Sequence, residues 1–396
     1  MAIFRNLWKE PIARIIVMLA LCFLTYPFLP TSFIRGALTL SIFLKSLLML
    51  FIPWLIISGT SIAFASFRGN GLWFVATIIG IVAVSNFCTI LFSGIIACYW
   101  IPKVTSSGSF VPSTISIEPY FETKFPTLLP NTWALLIGIS SGILSTFCNL
   151  SKWMQGMQII RKVTMGFLLR IFVPTIPLFL MGFILKMLVE GQIMHFFRSN
   201  GWPCVIMFGF LYGYLSLWWF AAHKCSHLPA MTILKNIFPA IVTAAGTMSS
   251  MAALPFSLEG STKNTKDPTL VHAVLPILLN FHMMGCTTTV AMLAVMILSN
   301  FSLPLPSLST YLLFGIMFVL NKFAGVGIPG GTVIVSLPIL QHYLGFSQEM
   351  LALIVAFFML TDPLGTMANV TANNFLIIFI QKFLKRSTRK ETLSTS

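Results

Sequence analysis

An all-α polytopic membrane protein is predicted by three features of this chain. Of its 396 residues 57% are hydrophobic and only 8% are charged, where soluble domains carry about 25% charge. Apolar runs near or above the ~20 residues that a spanning helix needs recur along its length. Polar breakers interrupt the last four of those runs. Together they give eight transmembrane helices plus two re-entrant helical hairpins.

Six spans are expected first, near residues 12–30, 37–66, 71–99, 132–150, 163–190 and 202–222. The opening run shows no clear cleavage site and is read as a retained span. The connection 101–131 is long and Ser/Pro-rich. The fifth span carries Pro174 and Pro177, with Arg170 and Lys186 toward its ends, where long side chains can reach the interface.

The character changes after about residue 235. NIFPAIVTAAGTMSSMAALPF (236–256) is too short to cross twice and too broken to cross once, so a re-entrant hairpin is expected with its tip at Thr247–Met251. A span at 270–299 is interrupted by NFHMMGCTTT (280–289). The stretch 308–342 holds AGVGIPGGT (324–332) at its centre, a second hairpin with a non-helical tip. A final helix, 348–381, is expected to break at DPLG (362–365). Hairpin, broken helix, hairpin, broken helix reads as a tandem repeat. Irregular backbone survives at bilayer depth only inside protein or along a water-filled cavity, so the four interruptions should converge on one cavity. Such a cavity is the form of a secondary transporter's binding site.

Asp362 is the most informative residue of these interruptions. It lies between ALIVAFFML (352–360) and FLIIFI (375–380), while the other acidic residues fall at ends or in polar connections. A carboxylate at that depth costs at least ~2.5 kcal/mol on insertion scales and marks a functional site by default. A bound ammonium would be its natural partner.

The formal net charge of +15 comes from basic residues spread over tails and connections, with no aromatic-interleaved patch for nucleic acid. Arg5, Lys9 and Arg14 lead in, Lys152, Arg161 and Lys162 are read as one connection, and Lys382, Lys385, Arg386, Arg389 and Lys390 close the chain. That bias puts both termini in the cytoplasm. None of the seven cysteines forms a C-x-x-C pair, so no metal or redox site is expected. There is no H-E-x-x-H, no G-x-S-x-G and no second group to pair with Asp362 in acid–base work, so the chain is not expected to be an enzyme. No charged ring or filter motif argues for a channel.

At the four interruptions the sequence resembles the dicarboxylate/amino acid:cation symporter family, which includes the glutamate transporters. TMSSMAALPFSLE (247–259) resembles the family's serine-rich first hairpin. GVGIPGGT (325–332) resembles its Gly-Val-Pro-Gly second hairpin, and GTMANVTANN (365–374) resembles the Asn-Val-Thr stretch of its eighth helix. FLKSLLMLFIP (43–53) resembles its second span. The resemblance implies a glutamate-transporter-like fold, a homotrimer and elevator-type movement. Residues 1–235 would be mainly scaffold with part of the transport core, 236–385 the core proper, and 386–396 a disordered cytoplasmic tail.

Carried over residue by residue, the resemblance implies substrate contacts at Asp362 (amino group), Thr366, Asn369 (α-carboxylate), Ser249 and Ser250. Gly327, Ile328, Pro329 and Gly330 match the gate tip. The departures are equally specific. The arginine that holds an acidic side chain is Gly365 here. The seventh-helix Asn-Met-Asp-Gly-Thr reads His282, Met283, Met284, Gly285, Cys286, so the assisting threonine is Cys286. A buried acidic side chain would lack its arginine fork. The family's sodium-binding carboxylates are Met284 and Asn373, and a thioether does not serve a hard cation. His282 is either a packed neutral ring or a proton carrier. Asn86 and Ser85 are candidate wall groups, and His282, Asn369, Asn373 and Asn86 are the candidate coupling-ion residues.

The function expected is therefore a symporter of amino acids, neutral ones first, with H+ or altered cation coupling. The alternatives are a sodium- or proton-coupled glutamate/aspartate or dicarboxylate symporter, and a non-transporting or channel-like member. No cofactor is expected beyond a coupling ion, H+ or Na+. The expected partners are a small amino-acid substrate, the lipid bilayer and two further copies of the chain, in a bacterial inner membrane.

Overall fold

The computed structural model describes residues 11–65, 72–105, 117–123, 125, 129–148, 150–191, 199–323 and 330–394. The helices, in chain order, are α1 (Pro11–Thr25), α2 (Thr31–Ala65), α3 (Leu72–Val104), α4 (Asn131–Phe147), α5 (Ser151–Phe167), α6 (Val173–Val189), α7 (Gly201–Cys225), α8 (Ala230–Thr247), α9 (Leu254–Thr265), α10 (Pro268–Phe281), α11 (Met284–Asn300), α12 (Leu308–Asn321), α13 (Gly331–Leu344) and α14 (Gln348–Ser394). There is no strand among the described residues. Seven helical stretches there are long and apolar enough to cross a membrane, which makes this an integral, multi-pass membrane protein.

Local chemistry sets the helix ends. Asp267 caps α10 by accepting the Leu270 N–H at 3.1 Å, with Pro268 at the first helical position, where its missing N–H costs nothing. Ser307 caps α12 through the Thr310 N–H at 3.2 Å. The fifth span is longer than expected. It begins at Ser151 and widens into one π-turn at Leu168–Phe172 before continuing as α6. Pro174 has no N–H to give to the preceding turn, and the widened turn accommodates that loss. Lys152, Arg161 and Lys162 consequently lie on α5, where a connection was expected.

The helices pack in two groups. In the first, α2 lies against α4, α5 and α6, and α1 against α6. In the second, α3 and α7 flank α11, and α14 touches every helix from α7 to α11 as well as α13. Every residue of α11 except Ser299 is buried, its three threonines included. The groups are joined at the start of α14, where the Lys186 ammonium meets Glu349 at 2.7 Å and Lys45 donates to Gln348.

Two pairs of neighbouring helices lie where the hairpins are expected. α8 and α9 pack on each other across a turn at Met248–Ala253, and α12 packs on α13. The arms of the first are longer than the segment 236–256 suggested, because Ala230–Lys235 and Ser257–Thr265 are helical too. The seventh helix is interrupted at His282–Met283, as expected. The eighth is not broken at DPLG: α14 runs through Pro363 without interruption. A proline removes one backbone donor, and the buried apolar stretches on both sides hold the helix in register. The tail is likewise helical to Ser394 rather than disordered; beyond Gly365 it contains neither glycine nor proline to stop it.

Candidate functional site

The turn between α8 and α9, the start of α13, the break between α10 and α11, and the middle of α14 meet around one narrow cavity of about 30 Å³. Ser249 and Ser250 line it from the α8–α9 turn, Gly330, Gly331 and Thr332 from the start of α13, Met283 and Cys286 from the break, and Asp362, Thr366 and Asn369 from α14. Asp362 is the one charged side chain in this lining.

Asp362 is buried. Its Oδ2 accepts the Gly330 N–H at 3.0 Å and its Oδ1 accepts the Thr366 hydroxyl at 3.2 Å, with the Cys286 thiol at 3.8 Å. Gly330 stands at the N-terminus of α13 with φ +68°, and a Cβ there would lie 2.3 Å from the Met359 sulfur. Only glycine therefore lets this amide reach the carboxylate. The positive end of the α13 dipole faces the same charge.

Asn369 has a different task in this structure. Its Oδ1 accepts the N–H groups of Gly285 (2.7 Å) and Cys286 (3.2 Å), and its Nδ2 donates to the Cys286 sulfur at 3.0 Å. The N-cap position of α11 is Met283, which has no side-chain acceptor for these amides. A side chain from α14 thus does the capping across the interface. Gly365 is not among the cavity lining. It is buried where α14 crosses α11, with its carbonyl oxygen 2.1 Å from where a Gly285 Cβ would stand.

Of the candidate coupling-ion residues, Asn369 lines the cavity, and His282, Asn373 and Asn86 cluster at the break. His282 Nδ1 lies 2.7 Å from Asn373 Oδ1, and its Nε2 lies 2.8 Å from the Ser85 hydroxyl. Asn373 also donates Nδ2 to the His282 carbonyl at 3.1 Å, which fixes its amide orientation. Its oxygen can only accept, so Nδ1 carries a hydrogen and the neutral ring is satisfied by the Ser85 hydroxyl at Nε2. Trp218 stacks on the ring at 5.6 Å. Asn86 splints the break, donating to the Phe281 carbonyl (2.8 Å) and accepting the Met283 N–H (3.1 Å). Met284 is turned away into an apolar cluster with Leu211, Ala368, Ala372 and Phe375.

The structure therefore brings Asp362, Thr366, Asn369, Ser249, Ser250, Cys286 and Gly330 to one cavity, and His282, Asn373 and Asn86 to the adjoining break. Gly327, Ile328 and Pro329 lie outside the described residues. Two groups escaped the sequence reading. Asn374 ties the first hairpin to α14 through Ser261 (2.6 Å) and Ser257 (3.2 Å). Lys322, the sole lysine or arginine between 308 and 342, is buried and donates to the Met283 carbonyl at 3.2 Å and to the Thr287 hydroxyl. A lone basic residue inside an apolar hairpin was the available signal.

No curated protein matches the chain. A family model described as Sodium:dicarboxylate symporter family matches residues 12–383. That match runs from α1 into the last turns of α14 and takes in both hairpins, the break and Asp362, so the chain belongs to the sodium:dicarboxylate symporter family, a family of membrane transporters.

Proposed function

We propose that this protein is a secondary transporter of neutral α-amino acids, working as a homotrimer in a bacterial inner membrane, with both termini cytoplasmic and with elevator-type movement of the group around α14. The observation that carries the reading is Asp362 as the single charge in the cavity lining. A carboxylate so deeply buried matches an ammonium group. The same lining offers no arginine or lysine to an acidic side chain, and burying one there unpaired would cost ~3–5 kcal/mol. A dicarboxylate without an amino group would meet Asp362 as a like charge.

The hydrogen bonds around Asp362 suggest how the site closes. Gly330 N–H occupies one carboxylate oxygen, so the second hairpin tip and an incoming ammonium compete for the same group. Ser249, Ser250 and Asn369 Nδ2 are the donors that the same lining offers to an α-carboxylate. Coupling is to H+ or to a cation site of altered composition, since Met284 and Asn373 carry no charge.

Counterflow uptake of a labelled amino-acid panel into proteoliposomes, in sodium-free buffer, tests this reading. Uptake of neutral amino acids, lost in Asp362→Ala, is expected. Strong competition by aspartate or by succinate would overturn the assignment to neutral substrates.

A further inference from the structure

Lys322 follows directly on α12, at the base of the second hairpin tip, and is 2% exposed. Its ammonium donates to the Met283 carbonyl and the Thr287 hydroxyl and stands 5.0 Å from the Phe318 ring centroid. Among the described residues no carboxylate lies within salt-bridge distance of it. A buried ammonium without a counter-charge is expensive, and what pays here is a set of oxygen donors and an aromatic face.

Those donors are of a particular kind. A backbone carbonyl at a helix break is a ligand with which discontinuous membrane helices hold small cations, and the Thr287 hydroxyl one turn on adds a second oxygen. The carbonyl belongs to Met283, next to Met284, and the break is splinted by Asn86 and bonded to Asn373, both uncharged. A mobile cation at this place would ordinarily be balanced by a carboxylate. Here the positive charge is covalently attached and reaches in from the hairpin that must close.

We propose that the Lys322 ammonium is a built-in cation, filling the oxygen site at the α10–α11 break in place of a mobile coupling ion and locking the second hairpin to the break without sodium. This rests on the transport reading for its consequence but not for its test. Lys322 and Asp362 are the buried charged side chains of the group formed by α3 and α7–α14 among the described residues. A zwitterionic substrate adds no net charge to these two, so the net charge that moves with the loaded group beyond them is that of a coupled proton.

The test is thermal unfolding of the purified full-length protein in choline chloride, sodium chloride or methylammonium chloride at equal ionic strength. The wild-type midpoint should be the same in all three. Lys322→Ala should unfold earlier in choline and recover by about 4 °C or more, saturably, with sodium or methylammonium. Lys322→Met, which refills the volume with no charge, should show no such recovery. A saturable stabilisation of the wild type by sodium overturns the proposal, and this arm stands even if no variant can be purified. Equal midpoints of Lys322→Ala in all three salts also overturn it. No substrate is used, so a wrong substrate class leaves the outcome unchanged.

Discussion

The backbone N–H of Gly330 points at Oδ2 of Asp362 from 3.0 Å, joining the tip of the second hairpin to the middle of α14. The two residues are 32 positions apart, and neither can be exchanged freely. Gly330 has positive φ and a sulfur atom where its Cβ would be. Asp362 supplies the charge that this amide and the α13 dipole meet.

Asp362→Ala should abolish uptake, and Asp362→Asn should reduce substrate affinity at least ~100-fold, because an ammonium loses a buried charge partner worth ~3–5 kcal/mol. The asparagine oxygen can still accept from Gly330, so folding should survive. Size-exclusion profiles and counterflow on the same preparation separate the two effects. Unchanged uptake by Asp362→Asn would show that the carboxylate charge is not used.

Gly285→Ala should lower thermal stability. The added carbon would come within 2.1 Å of the Gly365 carbonyl oxygen, and overpacking of that kind costs typically ~1–3 kcal/mol. Gly246→Ala is the control, since nothing stands within 4 Å of its Cβ position; its midpoint should hold or rise. Comparable midpoints for the two variants would argue against the close crossing of α11 and α14.

Asn369→Ala removes the acceptor for two amides at the start of α11. Loss of a cap costs about 1–2 kcal/mol, so the variant should melt earlier as well as transport poorly. Asn369→Asp keeps an acceptor oxygen but not the Nδ2 donor to Cys286. It also sets a second buried carboxyl group near Asp362, both beside the Cys286 sulfur, so its midpoint should recover only as pH falls and the added group is protonated, with uptake still impaired. Differential scanning fluorimetry beside uptake reads both.

Acidic substrates should become acceptable when their two missing contacts are rebuilt. A Cβ at Gly365 would stand 3.7 Å from Cys286 N, Gly285 C and Thr289 Oγ1 on α11, so a side chain can start there and reaches substrate only by turning along α11 into the cavity that Cys286 lines. The double variant Gly365→Arg, Cys286→Thr is expected to gain labelled-aspartate counterflow at least ~10-fold while losing neutral substrates, through the bidentate fork that arginine presents to carboxylate. Retention of the wild-type substrate profile would place selectivity elsewhere.

Much of this protein was legible in its sequence because its strongest signals are local. Helix existence follows from apolar runs, and a tip at Thr247–Met251, observed at Met248–Ala253, and an interruption within 280–289, observed at His282–Met283, follow from polar and helix-breaking residues that a bilayer tolerates only inside protein. Asp362 stood out for the same reason. The first hairpin's arms and the start of α5 were drawn short because polar residues at helix ends look like connections until a neighbouring helix covers them.

What the chain by itself determined was therefore where the backbone must leave helical geometry and which charge sits at that depth. The tertiary structure decided how the polar groups spend their hydrogen bonds. Asn369 caps α11 from 84 residues away, His282 is saturated by Asn373 at a separation of 91 and by Ser85 at 197, and Lys322 reaches Met283 across 39. It also carried α14 straight through Pro363, where the local rule favoured a break. The reason is physical. A buried donor or acceptor must be paired somewhere, and sequence states that need at each position, but only the packed helices determine which partner is within 3 Å.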